Sequence, residues 1–406
     1  MRVLLLLDSF REDVPGLHLY RLCLRWSPMR ELQLSVAAFG EDGPLSERLR
    51  EMGIGTTLIP ADASRSPRRL REAAERFLSR SDRADLLQAH GTFPNLAARW
   101  FQGGRANIPL VSVIYDTCDF ASIPILRRTW QALCERRTRR RVAAFVAVSA
   151  ATRASLAPRG LDPARMRVIP TGVDAVGLFP LSEKNKQRYR LLLGIEADIP
   201  AIVSASDFTE GSGVLDLLDA MAQVHRRVPA ARLFIVGEGP LREHAGEIVA
   251  ARGLAESVRF IGHVSEVMPK LFSTADVVVH PSRANRCTLT VPDALATGAA
   301  VVATATGNVP EVAIDGKTAL LVPPADPAAM AAAILRLVEN ADLRRDIAEA
   351  ARDSARGSHE IGAIAEAYID LWRDLAPDAE WRGTDTVPIE DMEDFKREST
   401  GKFPTH

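Results

Sequence analysis

The chain has 406 residues, enough for two or three ordinary domains, with 47% apolar and 25% charged residues, the balance of a globular protein rather than a disordered or fibrous one. Lysine and arginine total 51 against 52 aspartates and glutamates, so the formal net charge of −1 excludes the global basic field of a general nucleic-acid binder. Four well-separated cysteines (Cys23, Cys118, Cys134, Cys287) form no CxxC pair or zinc spacing, which argues for a reducing compartment and against a disulfide framework or structural metal.

The opening apolar run, Val3–Leu7, stops at Asp8 and is too short for a signal peptide or a membrane span. No later stretch approaches about 20 uncharged apolar residues, so a cytoplasmic chain is expected. Further strand-like runs follow at Leu34–Ala38, Leu86–Ala89, Leu110–Ile114 and Ala143–Val148. A second series comprises Ala201–Ser204, Arg232–Val236, Val258–Ile261, Val277–His280, Ala300–Ala303 and Ala319–Val322. Helical patterns lie between them, among them Val214–Val228, Leu241–Arg252 and Pro327–Glu339. Short, largely apolar strands separated by helices predict parallel sheets covered on both faces, and two such series predict two doubly wound α/β domains. The break falls near Thr171–Pro200, and domains of this kind bind ligands in the cleft at the C-terminal ends of their strands.

Two segments stand apart from this pattern. Arg127–Arg141 holds seven arginines and one acid; as a helix it would suit anionic lipid at a membrane's inner face, or simply be a solvated surface. Pro377–His406 is acidic and polar with little periodic apolar pattern, and reads as a loosely ordered tail.

Seven phrases recur in fixed order through the second half. They are Arg167-Val-Ile-Pro-Thr-Gly-Val-Asp174, Leu233-Phe-Ile-Val-Gly-Glu-Gly-Pro240, Val258-Arg-Phe-Ile-Gly-His-Val264, Ala275-Asp-Val-Val-Val-His-Pro-Ser282, Gly298-Ala-Ala-Val-Val-Ala-Thr304, Val309-Pro-Glu-Val312 and Asp315-Gly-Lys-Thr-Ala-Leu-Leu-Val-Pro-Pro324. The ordered set resembles glycosyltransferase family 4, the retaining nucleotide-sugar transferases of GT-B fold. The resemblance implies two Rossmann-like domains facing each other across a cleft. An acceptor-side domain would span 1–170 and a nucleotide-sugar-side domain 171–358. A helix at 359–376 would cross back onto the first domain, ahead of the tail at 377–406. It also implies a nucleotide-sugar as co-substrate, a glycan or lipid-linked acceptor, and no catalytic metal or further cofactor.

Carried over position by position, the family's site is altered here. The Arg and Lys that hold the donor diphosphate fall on Asp207 and Ser212. A carboxylate about 4 Å from a phosphate is repelled by about 1 kcal/mol even in water. The paired glutamates fall on Asn285 and Asp293; Asn285 can hydrogen-bond a hydroxyl but supplies no charge, and Asp293 keeps the charge on a shorter arm. Arg286 and Thr288 replace the two glycines of the phosphate approach, ahead of Leu289. In the first half the usual Gly-Gly loop survives only as Pro15-Gly16. Tyr115, followed by Asp116, stands where a His is common, and His90-Gly91 matches a family phrase. Gly237-Glu238-Gly239 and Ile261-Gly262 match the loops that line base and ribose, although strand-to-helix turns need such glycines in any Rossmann-like domain.

Three readings follow. The chain is a working retaining glycosyltransferase of envelope or exopolysaccharide assembly. Or it is a catalytically degenerate pseudo-glycosyltransferase that binds or scaffolds, as the changes at Asp207, Ser212, Asn285 and Tyr115 suggest. Or its diphosphate site is rebuilt around Arg283 and Arg286 before the helix that carries Pro292, unless both arginines are ordinary surface residues. Fold alone does not decide among them.

Overall fold

The computed structural model describes residues 1–60, 84–101, 108–115, 133–174, 178, 181–192, 194–196, 199–262, 268–357 and 359–379. Two parallel sheets organise the chain. The first contains β1 (Arg2–Leu7), β2 (Gln33–Gly40), β3 (Gly55–Pro60), β4 (Leu86–His90), β5 (Leu110–Ile114), β6 (Ala144–Ala147) and β7 (Met166–Val168), in the order β3-β2-β1-β4-β5-β6-β7. The second contains β8 (Ala201–Ala205), β9 (Arg232–Val236), β10 (Val258–Gly262), β11 (Val277–His280), β12 (Ala300–Thr304) and β13 (Leu320–Val322), in the order β10-β9-β8-β11-β12-β13. Strand order reverses between β1 and β4 in one sheet and between β8 and β11 in the other, which makes two topological switch points.

Apolar runs become central strands because each sheet is covered on both faces. In β1, Val3, Leu5 and Leu7 enter one core while Leu4 and Leu6 enter the core on the opposite face. In β11, Val277 and Val279 are separated from Val278 in the same way. A two-residue side-chain period thus places every residue of the run in a core, and such a strand needs no polar alternation. The covering helices carry one apolar stripe each; in helix Val214–Arg227, Leu217, Met221 and Val224 are buried.

Two strands go beyond the sequence reading. Gly55–Pro60 extends the first sheet beside β2, and Met166–Val168 closes its other edge beside β6. Both are edge strands, where partial burial erases the apolar signal; Thr57 and Leu58 of β3 are exposed.

The chain crosses between the sheets twice. The outgoing crossing passes through Val173 and the returning one through Glu360, and the two pair in a parallel bridge. Val173 N–H donates to the His359 carbonyl at 2.7 Å, and Ile361 N–H donates to the Val173 carbonyl at 2.9 Å. Helix Ile361–Leu375 then buries Ile361, Ile364, Tyr368, Ile369 and Trp372 in the core beside β1 and helix Val14–Trp26. Ala379 packs at the edge of that core, and the rest of the expected tail, from 380 on, lies outside the described residues. No described helix is long and apolar enough to cross a membrane.

Candidate functional site

All strands of the second sheet run parallel, so the turns after β8, β9, β11 and β12 gather at one edge, around the switch point. The turn after β8 is stitched to its neighbours by main-chain hydrogen bonds. Phe208 N–H donates to the Glu238 carbonyl at 3.0 Å, and Arg283 and Ala284 N–H both donate to the Gly211 carbonyl, at 3.0 and 3.1 Å. Gly237 (φ +153°) and Gly239 (φ +151°) follow from the same stitching, since a Cβ on either would strike the carbonyl of Ser206 or Phe208. Their glycine requirement is met by loop packing, with no ligand needed to explain it.

Most polar side chains of this edge hold the loops themselves. Asn285 accepts from Gly307 N–H at 2.6 Å, so the group at the first glutamate position ties two loops together. Both carboxylate oxygens of Asp216, in the first turn of helix Val214–Arg227, engage the Arg283 guanidinium. Thr288 N–H donates to Asn308 Oδ1 at 2.9 Å and the Asn308 amide returns a bond to the Thr288 carbonyl at 3.1 Å. Ser212 Oγ donates to the Thr209 carbonyl at 2.7 Å, and Leu289 is buried. Glu238 pairs with Arg242 at 3.1 Å, Gly262 receives Gly237 N–H at 2.9 Å, and Ile261 is partly buried behind them. Asp207 and Arg286 are exposed. Among the described residues the Arg286 guanidinium makes no hydrogen bond or ion pair, whereas that of Arg283 is neutralised.

Two carboxylates of the second domain reach the first: Glu311 accepts from Ala150 and Ala151 N–H at 2.7 and 2.8 Å, and Asp293 meets an arginine. Asp293 lies in helix Thr290–Ala296 and forms a two-pronged ion pair with Arg21 of helix Val14–Trp26, Nη1 to Oδ1 at 2.9 Å and Nη2 to Oδ2 at 2.6 Å. Burial raises the Asp293 carboxyl and the guanidinium opposes that rise. Arg21 Nη1 also reaches the Gly172 carbonyl at 3.4 Å, and Arg25, one turn on, bridges Asp174 at 3.2 Å and Glu360 at 3.0 Å. His18, Arg21 and Arg25 recur at helical spacing along the flank of the buried stripe of Leu19, Leu22, Cys23 and Trp26, with His18 itself buried.

In the first sheet the candidate residues are buried in a polar chain. Trp372 Nε1–H donates to Gln88 Oε1 at 2.8 Å, and an indole can only donate, so the Gln88 amide nitrogen faces His90 Nε2 at 2.8 Å. His90 Nε2 is therefore the acceptor and Nδ1 carries the proton toward Tyr115 Oη, 2.6 Å away. The Tyr115 hydroxyl then donates to His18 Nδ1 at 2.7 Å, leaving His18 Nε2 protonated and, among the described residues, without a partner. Burial holds His90 down to about 3 and His18 well below the usual imidazole range, so both rings are neutral. His90 and Tyr115, expected to line the cleft, are instead 0% and 4% exposed because the returning helix covers them. Gly16 N–H donates to the capping Asp13 carboxylate at 2.9 Å, and Asp116 lies outside the described residues.

Sequence reasoning missed three groups: Arg21, His280 and Asp8. His280 ends β11 beside the donor loop; its Nδ1 is buried without a partner among the described residues, and burial lowers the ring to about 4. Asp8 follows β1 at the first switch point, where burial and the neighbouring Asp13 carboxylate push it up to about 7. Of the arginine-rich stretch, Arg127 and Arg128 lie outside the described residues, Arg139 donates to the Arg159 and Gly160 carbonyls, and Arg141 donates to the Arg99 carbonyl.

Comparison with known proteins agrees with this architecture. The model of Glycosyltransferase Family 4 matches residues 16–176 and that of Glycosyl transferases group 1 matches residues 199–340. Alpha-D-kanosaminyltransferase of Streptomyces kanamyceticus is 27% identical over 195 residues, 48% of this chain and 50% of that protein. The GDP-mannose-dependent alpha-(1-6)-phosphatidylinositol monomannoside mannosyltransferase of Mycolicibacterium smegmatis is 33% identical over 221 residues, 52% of this chain and 56% of that protein. The chain thus spans about half the length of the curated relatives it matches. Among solved structures, Anabaena HepE in complex with UDP-glucose superposes with a TM-score of 0.81 at 20% identity, covering 92% of this chain and 100% of that one. WaaG, a glycosyltransferase involved in lipopolysaccharide biosynthesis, gives 0.74 at 16% identity, covering 91% and 99%. The family matches fall one on each sheet and the solved structures share the fold across both: the chain belongs to glycosyltransferase family 4, with the two Rossmann-like domains of GT-B.

Proposed function

We propose that this protein transfers a sugar from a nucleotide-sugar donor, bound at the edge of the second sheet, to a glycan or lipid-linked acceptor in envelope or exopolysaccharide assembly. The observation that carries this reading is the stitched loop pair at the β8/β11 switch point, where Asp216 neutralises Arg283 and Arg286 has no partner among the described residues. A rigid loop bearing one uncommitted guanidinium suits a diphosphate in the absence of the usual Arg and Lys. The solved relative described as a complex with UDP-glucose, and the curated relative named GDP-mannose-dependent, support a nucleotide-sugar as donor.

A second reading rests on a specific observation. Asn285 and Asp293, at the positions of the paired glutamates, are both engaged in structural contacts. That favours a pseudo-glycosyltransferase that binds the nucleotide-sugar without turning it over.

Calorimetric titration with UDP-, GDP- and ADP-linked sugars, followed by donor hydrolysis and transfer assays, separates the two. Binding with turnover supports the transferase, binding without turnover supports the degenerate protein, and no binding rejects both. Arg286→Ala should weaken nucleotide-sugar binding by about 1.5–3 kcal/mol and leave nucleoside binding unaltered, the magnitude of charge-assisted hydrogen bonds. Asp207→Arg with Ser212→Lys should strengthen binding in a degenerate pocket and crowd Arg286 in a rebuilt one.

A further inference from the structure

Five charged side chains and one carbonyl meet where the two domains join. Arg21 holds Asp293 through both carboxylate oxygens and touches the Gly172 carbonyl; Arg25 holds Asp174 and Glu360. Gly172 and Asp174 belong to the outgoing crossing and Glu360 to the returning one, so Arg25 and the second contact of Arg21 lie at the hinge itself. Asp293 is different. It lies in the second domain, on the helix that follows the donor loop, and the side chains of the Arg21–Asp293 pair are only 13% and 12% exposed. Cys287 of the donor loop packs into the first domain's core close by, and its Sγ lies 3.8 Å from Thr171 Oγ1.

A hinge braced only at its axis leaves the angle of the two lobes loosely defined. A contact off the axis fixes that angle, because opening must separate the partners. Arg21–Asp293 lies beyond the crossing segments, as does Glu311, whose carboxylate accepts from Ala150 and Ala151 N–H of the first domain at 2.7 and 2.8 Å; Arg21–Asp293 joins two side chains, and its two-pronged geometry makes it directional as well as attractive. Separation would strand two charges in a poorly hydrated crevice unless the cleft opened far enough to admit water, so the pair favours two discrete states over a continuum.

We propose that Arg21 is a positioning residue which, through Asp293, latches the donor-loop helix to the first domain and holds the cleft closed. Its effect on ligand rests on the nucleotide-sugar reading above; the latch itself does not. Through this contact the carboxylate at position 293 sets the orientation of the loop that carries Arg286.

Small-angle scattering and UDP-glucose titration of the full chain test the latch together, with circular dichroism as the check on folding. Arg21→Ala and Asp293→Asn should each enlarge the radius of gyration and weaken UDP-glucose binding about tenfold, a usual size for coupling between sites. The exchanged pair Arg21→Asp with Asp293→Arg should restore both, which a merely structural loss at either site would not. Unchanged scattering in both single variants overturns the latch. Open scattering with unchanged affinity overturns the positioning role. If no variant and not the parent binds UDP-glucose or the other nucleotide-sugars, while scattering still separates them, the donor reading fails and the latch stands. Should the single variants not fold, Arg21→Lys keeps the charge without the fork; dimensions and affinity identical to the parent protein's would then overturn the proposal.

Discussion

The two domains share one strand order, yet their switch points hold polar groups in opposite ways. In the first, His18, Gln88, His90 and Tyr115 are sealed under the returning helix in a chain whose proton positions are all fixed by the donor-only indole of Trp372. In the second, Asn285, Arg283 and Thr288 hold surface loops in place, and Arg286 remains exposed beside them. Buried polar groups contribute to stability because losing one strands its partner without water; surface pins contribute to shape and cost little when lost. The first switch point is thus an anchoring structure, and the second a presenting one.

The largest effect should come from Tyr115→Phe, which strands the His90 Nδ1–H donor and the His18 Nδ1 acceptor together. Chemical denaturation should show a loss on the order of 3 kcal/mol. Next comes pH. His18, His90 and His280 are held neutral below the ordinary value of 6.5, so the unfolded chain binds protons that the folded one refuses. Stability should therefore fall as pH drops below 6.5, by up to about 1.4 kcal/mol per unit for each imidazole. Asp8 works in the other direction: its raised carboxyl contributes stability below 3.8 that is lost as pH rises through about 7. Urea titrations across this range should give a net downward slope toward acid, and His280→Leu should make it shallower by one proton. A slope unaltered in His280→Leu would mean that this ring titrates normally.

Smaller effects belong to the second switch point. Asn285→Ala removes one hydrogen bond at the surface and should cost about 1 kcal/mol while loosening the loop, seen as faster amide exchange at Gly307. Arg286→Ala should leave stability within about 0.5 kcal/mol of the parent protein, as for an exposed surface side chain. A large loss there would show that Arg286 is a structural residue and would remove the contrast between the two switch points.

The sequence showed most of the fold because the central strands are buried on both faces. Val3–Leu7 and Val277–His280 announce themselves as unbroken apolar runs, and the interior strands were found on that signal. The edges of the first sheet carry less signal, since Gly55-Thr-Thr-Leu-Ile-Pro60 alternates weakly and Met166-Arg-Val168 is three residues long, whereas the edge strands of the second, Val258–Gly262 and Leu320–Val322, show as apolar runs. The site was legible as a set of positions but not as a set of contacts. Asn285 and Asp293 could be located from the phrase they occupy, yet their partners Gly307 and Arg21 lie 22 and 272 residues away. Local spacing carries no record of such pairings. The recurrence of His18, Arg21 and Arg25 beside an apolar stripe is a readable hint that this flank of the helix meets polar partners. His280 and Asp8 gave none, since an ionisable residue ending an apolar strand looks like any strand terminus.

The returning helix has a consequence for the order in which this protein is assembled. Trp372 and Tyr368 are fully buried in a core built mainly from the first domain. A nascent chain emerging from the ribosome therefore exposes the unfinished apolar flank of its first domain while the whole second domain is being made. The second domain's sheet is complete at β13 and can fold ahead of the domain that precedes it. A chain that stops after helix Ala341–Ala355 and before position 361 would therefore carry a finished C-terminal lobe on an unclosed N-terminal one.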